Sequence, residues 1–110
     1  MSELCEVKEC IYFYGARLAT VFRFDNGVKI IGFKDFDFFD LRVLSLGGNP
    51  RLNGFGQGAL KLIRPLFKEI TVNEIFEDAL PFWLKMKERG LINHIGFMKG
   101  ELNFKLMKSH

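Results

Sequence analysis

The chain has 110 residues, 48% of them hydrophobic and 15% aromatic, enough for one well-filled core and too few for two domains. Its 16 basic and 13 acidic residues leave a net charge of +3, mild beside the surface of a dedicated nucleic-acid binder, so nucleic acid is not the expected partner. No window nears the ~18 uninterrupted apolar residues of a membrane span, and Cys5 and Cys10 have neither zinc-site nor redox-pair spacing, so a reduced, cytoplasmic setting with no metal and no membrane partner is expected.

Residues 6–14 and 17–24 carry Val7, Ile11, Phe13, Val21, Phe22 and Phe24 around Gly15, β-branched and aromatic types that predict a hairpin. Asp25-Asn26-Gly27 is a strong turn signal, and residues 28–33 resume the strand pattern. A fourth strand is expected over 39–46. Gly47-Gly48-Asn49-Pro50 then leads through a glycine-rich loop into a helix starting near Gly56 or Gln57. That helix should turn Leu60, Ile63 and Phe67 inward and Lys61, Arg64 and Lys68 outward, with Pro65 kinking or shortening it. The three cations could reach a cofactor's 3′-phosphate, although the wet side of an amphipathic helix explains them as well.

Residues 69–75 predict a short strand, and Asp78 is the expected N-cap of a second helix with Pro81 in its first turn and Gly90 at its end. Phe82, Trp83 and Met86 make an apolar stripe at helical spacing. Two last strands, 93–98 and 101–107, flank Lys99-Gly100. The order ββββαβαββ describes a single α/β (α+β) domain, with a mostly antiparallel, twisted sheet of six to seven strands and two main helices.

The loop Arg51-Leu52-Asn53-Gly54-Phe55-Gly56-Gln57-Gly58 is where chemistry is expected. Glycines let the backbone approach a ligand, and the first amides of the following helix point outward with the dipole favouring an anion. A triphosphate loop would need Gly-Lys-Ser/Thr where the chain has Gly58-Ala59-Leu60. Gly54-x-Gly56-x-x-Ala59, with Glu74 twenty residues beyond Gly54, matches the dinucleotide fingerprint in letters but lacks its setting at the end of a first parallel strand.

Leu44-Ser45-Leu46, a short gap, then Arg51-x-x-Gly54-x-Gly56 with Ala59-Leu60 behind it resembles the acyl-CoA-binding signature of the GNAT N-acetyltransferase superfamily. Val72, Ala79, Phe82 and Trp83 fall at spacings similar to that family's second motif, so the likeness covers roughly residues 36 to 98. The resemblance implies a GNAT-like fold and an acyl-CoA-dependent N-acyltransferase. It would join acetyl-CoA, or another acyl-CoA, to an amine-bearing small molecule or protein in one ternary complex. Main-chain groups of Leu44, Ser45 and Leu46 would pair with the pantetheine arm. The amides of Leu52, Asn53, Gly54, Phe55, Gly56, Gln57 and Gly58 would cradle the pyrophosphate, and Arg51 would add charge.

By the same resemblance Asp40, four residues before Leu44, is the candidate general base; a solvated strand-edge carboxylate is the plainer alternative. Phe76 stands where the family has Asn and Trp83 where it has a Tyr acid. An indole N–H donates a hydrogen bond but no proton, which leaves Tyr12 or Tyr14 for that role. The family's helix pair between its first two strands is missing. A catalytically weak or inactive CoA-binding sensor or interaction module is therefore the second expectation, and a small basic nucleic-acid-associated protein the third. The aromatic surface and sheet edge permit a homodimer.

Overall fold

The computed structural model describes residues 7–51 and 53–98. Strands β1 (Val7–Tyr14) and β2 (Arg17–Phe24) form one hairpin around Gly15-Ala16, and β3 (Lys29–Asp35) with β4 (Phe38–Ser45) forms a second. Helix α1 (Phe55–Ile63), strand β5 (Glu69–Val72), helix α2 (Leu80–Glu88) and the two-residue strand β6 (His94–Ile95) follow. The strands lie in sequence order in one mixed sheet. β1 to β4 are antiparallel neighbours, while β4–β5 and β5–β6 run parallel. Both parallel crossovers step the same way across the sheet, and α1 and α2 pack into one core cluster on the same face, as the right-handed crossover rule leads one to expect. The domain is thus α+β, with six strands and two helices among the described residues.

Several expected boundaries shift for local reasons. α1 stops at Ile63 because Pro65 has no N–H to continue the ladder, and Arg64–Leu66 tightens into a 3-10 turn. β5 ends at Val72 rather than 75, since Glu74 adopts φ 61 and turns the chain out of extension; Ile75 instead bridges Met98. Asp78 does not cap α2. It belongs to the 3-10 turn Glu77–Ala79, Ala79 holds the cap position, and Pro81 sits in the first turn as expected. The strand expected over 93–98 shrinks to His94–Ile95, and the turn at Lys99-Gly100 and strand at 101–107 lie outside the described residues.

Alternation along the strands sorts side chains to two faces. Beneath the helices, Phe22, Ile30, Phe39, Leu41, Ile70 and Val72 pack against Leu60, Ile63, Trp83 and Met86. Phe39 stacks on Phe67 at 4.8 Å between ring centres, and Phe22 meets both rings edge-on, arrangements that add to the area the rings bury. The opposite face carries a smaller cluster of Ala19, Val21, Ile31 and Phe33, flanked by Tyr14 and Val43.

Candidate functional site

The register between β3 and β4 slips between Ile31 and Gly32: Ile31 pairs with Val43 and Gly32 with Leu41, so Arg42 is an extra residue. This bulge changes which side chains face the helices. Strict alternation from Leu41 would send Val43 and Ser45 to the helix side; after the bulge, Leu44 and Leu46 take that direction and Ser45 falls on the other face, opposite Lys29. A second event occurs at the same level. The parallel ladder from β4 to β5 runs from Phe38–Glu69 to Leu41–Val72, and just beyond it Asn73 N–H donates to Leu41 O at 2.9 Å. β4 continues to Ser45 while β5 has ended.

Beside this last stretch of β4 lies a cavity of about 360 Å³. Leu44 of β4, Leu46 just after it, Phe55 of α1, and Phe82, Trp83 and Met86 of α2 form its apolar wall. Gly54, Gly56 and Gln57 at the start of α1 also line it, as do the cations Arg51, Lys85 and Arg89. Gly54 holds the cap position at φ 81, a left-handed conformation that a side chain would disfavour, and no side chain caps the helix. The first amides of α1 thus open beside three positive side chains, an arrangement suited to an anion. Gly56 has a nearer purpose: a Cβ there would come within 3.1 Å of both Leu44 Cδ2 and Phe82 Cζ, so its missing side chain makes room for the wall itself.

On the opposite face, where β4 and β5 part, five polar side chains interlock. Asp40 accepts hydrogen bonds from Arg42 Nε and Nη2 (each 2.9 Å) and from Asn73 Nδ2 (2.7 Å). Arg42 also pairs with Glu74, and Tyr14 donates its hydroxyl to Glu74 Oε1 at 2.8 Å. The guanidinium is bound by two carboxylates, and its hydrogen bond to Asp40 chiefly holds its pKa above the ordinary range. Burial, followed by the hydrogen bond to Glu74 and the charge on Glu74, raises the Tyr14 phenol above its usual 10.0. A raised native pKa means the neutral phenol stabilises the fold, a contribution present below about pH 10 and lost as pH climbs through the higher native value. Denaturant midpoints measured from about pH 8 to about pH 11 should therefore fall more for the parent than for Tyr14→Phe; parallel curves would remove Tyr14 from the network.

Of the residues expected to bind a cofactor, Leu44, Leu46, Arg51, Gly54, Phe55, Gly56 and Gln57 converge on the cavity. Asn53 and Gly58 are not in its lining, and Ser45 Oγ accepts a hydrogen bond from Gly47 N–H at 3.2 Å. Leu52 lies outside the described residues. Asp40 lies on the opposite face at the parting. Among the α1-side cations, Arg64 is occupied: Nε donates to Gly90 O at 2.9 Å and Nη1 to Phe67 O at 2.8 Å. Neither Lys61 nor Lys68 lines the cavity.

The cavity cations from α2, Lys85 and Arg89, were not expected from sequence. Their signal is present in retrospect, because Phe82, Lys85, Met86 and Arg89 repeat at helical spacing and mark one face. Arg42 and Glu74 carried no comparable signal, because only the bulge and the turn after β5 bring them together. Comparison with protein-family models, curated proteins and solved structures finds no match to this chain.

Proposed function

We propose that this chain is an acyl-CoA-dependent N-acyltransferase of the GNAT type, acting on an amine in a ternary complex with acetyl-CoA. The observation that carries this reading is a cavity beside the stretch of β4 that outruns β5, with an apolar wall, a helix start without a side-chain cap and a cationic lining. Such a donor set fits a diphosphate joined to an apolar arm. The stretch of β4 beyond the end of β5 would offer main-chain groups of Leu44 and Ser45 to an extended arm, as in strand addition, whereas Leu46 O already accepts from Asn49 N–H and Nδ2. When bound, the thioester supplies an activated acyl group.

The remaining chemistry belongs to side chains at the parting. Transfer forms an N–C bond, breaks the C–S bond, removes a proton from the amine and delivers one to the thiolate. Asp40 takes the amine proton at Oδ2, which accepts one hydrogen bond where Oδ1 accepts two. Tyr14, whose hydroxyl donates to Glu74 Oε1, is the proposed source of the returned proton. Asp40→Asn should lower turnover at least about a hundredfold while leaving the acetyl-CoA dissociation constant within about twofold. The assay is free-thiol release from acetyl-CoA across a panel of small amines and peptides. An unchanged rate in Asp40→Asn would remove Asp40 as base.

A second reading, a CoA-binding sensor without turnover, is favoured by two observations. Trp83, at the resemblance's Tyr position, is buried in the main core, and Asp40 is engaged by Arg42 and Asn73. Acetyl-CoA binding with no thiol release from any amine would select it.

A further inference from the structure

At about 360 Å³ the cavity lies near the lower end of ligand pockets, and a nucleotide conjugate whose apolar arm fills its inner wall would bring its nucleoside to the mouth. Burial places the mouth: Trp83 and Met86 are buried and Leu44 and Phe82 half-buried, whereas Arg51, Lys85 and Arg89 are exposed. No carboxylate lines the cavity among the described residues, so its lining carries three positive charges and no negative one.

These cations fall into two groups. Arg51 belongs to the loop entering α1, beside the uncapped amides. Lys85 and Arg89, one turn apart, project from α2 on the side of Phe82 and Met86, and Arg89 Nη1 donates to Gln57 Oε1 on α1, which ties that guanidinium across the mouth. Basic residues late in a helix commonly do no more than complement its dipole. Lys87 shows the difference, since it lies in the same last turn but outside the cavity lining.

We infer that Lys85 and Arg89 form a second phosphate subsite, separate from the diphosphate site at the start of α1, and that the ligand is a nucleotide conjugate bearing an additional ribose phosphate. The inference rests on the acyl-CoA reading and narrows it: the 3′-phosphate of coenzyme A occupies this subsite and contributes to selection. Arg89 is the better fixed of the two cations through its bond to Gln57. Lys85 supplies a mobile point charge beside it.

Isothermal titration of the full chain with coenzyme A, dephospho-coenzyme A and NAD, in the parent and in Lys85→Gln, Arg89→Gln and Lys87→Gln, tests the subsite. The parent should bind coenzyme A about tenfold more tightly than the dephospho form, as expected for one charge-assisted phosphate contact. Lys85→Gln and Arg89→Gln should each reduce that preference severalfold with little change for dephospho-coenzyme A, and Lys87→Gln should leave it intact. Equal affinities in the parent, or a preference that survives both substitutions, would overturn the subsite while leaving the acyl-CoA reading in place. Failure of both coenzyme forms to bind would overturn the acyl-CoA reading itself, and the subsite with it.

Discussion

Gly32→Ala is expected to destabilise the fold by about 3 kcal/mol, at the upper end of overpacking losses. A Cβ at Gly32 would lie 2.6 Å from Cζ of Phe39, and the main-chain oxygen of Asp40 would be closer still; carbon atoms ordinarily approach to about 3.5–4.0 Å. Phe39 cannot withdraw cheaply, because it is fully buried, stacked on Phe67 and in edge contact with Phe22. The carbonyl cannot withdraw at all without disturbing the paired stretch of β3 and β4 beside the bulge. Urea midpoints for Gly32→Ala and for Gly32→Ala with Phe39→Leu separate the two obstacles. The double variant should recover only part of the loss caused by the added methyl, since the main-chain obstacle persists. A Gly32→Ala midpoint equal to the parent's would mean that β3 and β4 do not pack at the bulge as described.

Arg42→Met should cost about 2 kcal/mol, discounted from the 3–5 expected for a fully buried pair because the side chains of Arg42, Asp40 and Glu74 retain 16%, 32% and 17% exposure. The substitution keeps an apolar stem of similar length, but two half-buried carboxylates lose the guanidinium between them. Most of the loss is the cost of stranding those charges. The triple variant Asp40→Asn, Arg42→Met, Glu74→Gln should therefore be more stable than Arg42→Met alone, although it lacks three charged groups. Equal stability of the single and triple variants would mean that Arg42 contributes through packing rather than by joining the carboxylates. The network ties β4 to the residues just after β5, so its loss should also loosen the strands where they part.

Local patterns made much of the scaffold legible. Alternating β-branched and aromatic residues mark β1 to β3, and Asp25-Asn26-Gly27 makes its turn, with Gly27 N–H donating to Phe24 O at 3.0 Å and Val28 N–H to Asn26 Oδ1 at 3.0 Å. Pro65 shortened α1 as its missing donor requires, and Gly90, at φ 78, follows the end of α2. The cavity side of the site was legible for the same reason, because a helix start and its glycine loop are adjacent in sequence. Non-local geometry was not. Arg42 becomes an extra residue only through the β3–β4 register, and Tyr14 meets Glu74 across 60 positions. Asp78 looked like a cap because its type suits one, yet the 3-10 turn ahead of α2 moved the helix start to Leu80.

The proposed function requires the opening of α1 and the stretch of β4 beyond β5 to hold the diphosphate and pantetheine of one ligand. Backbone amide NMR during titration with acetyl-CoA tests it most directly. Saturable shifts should concentrate at Gly54, Phe55, Gly56 and Gln57 and at Leu44 to Leu46, with β1 unmoved. Saturable shifts confined to other elements, or none in the presence of millimolar ligand, about the weakest affinity of interest, would contradict it.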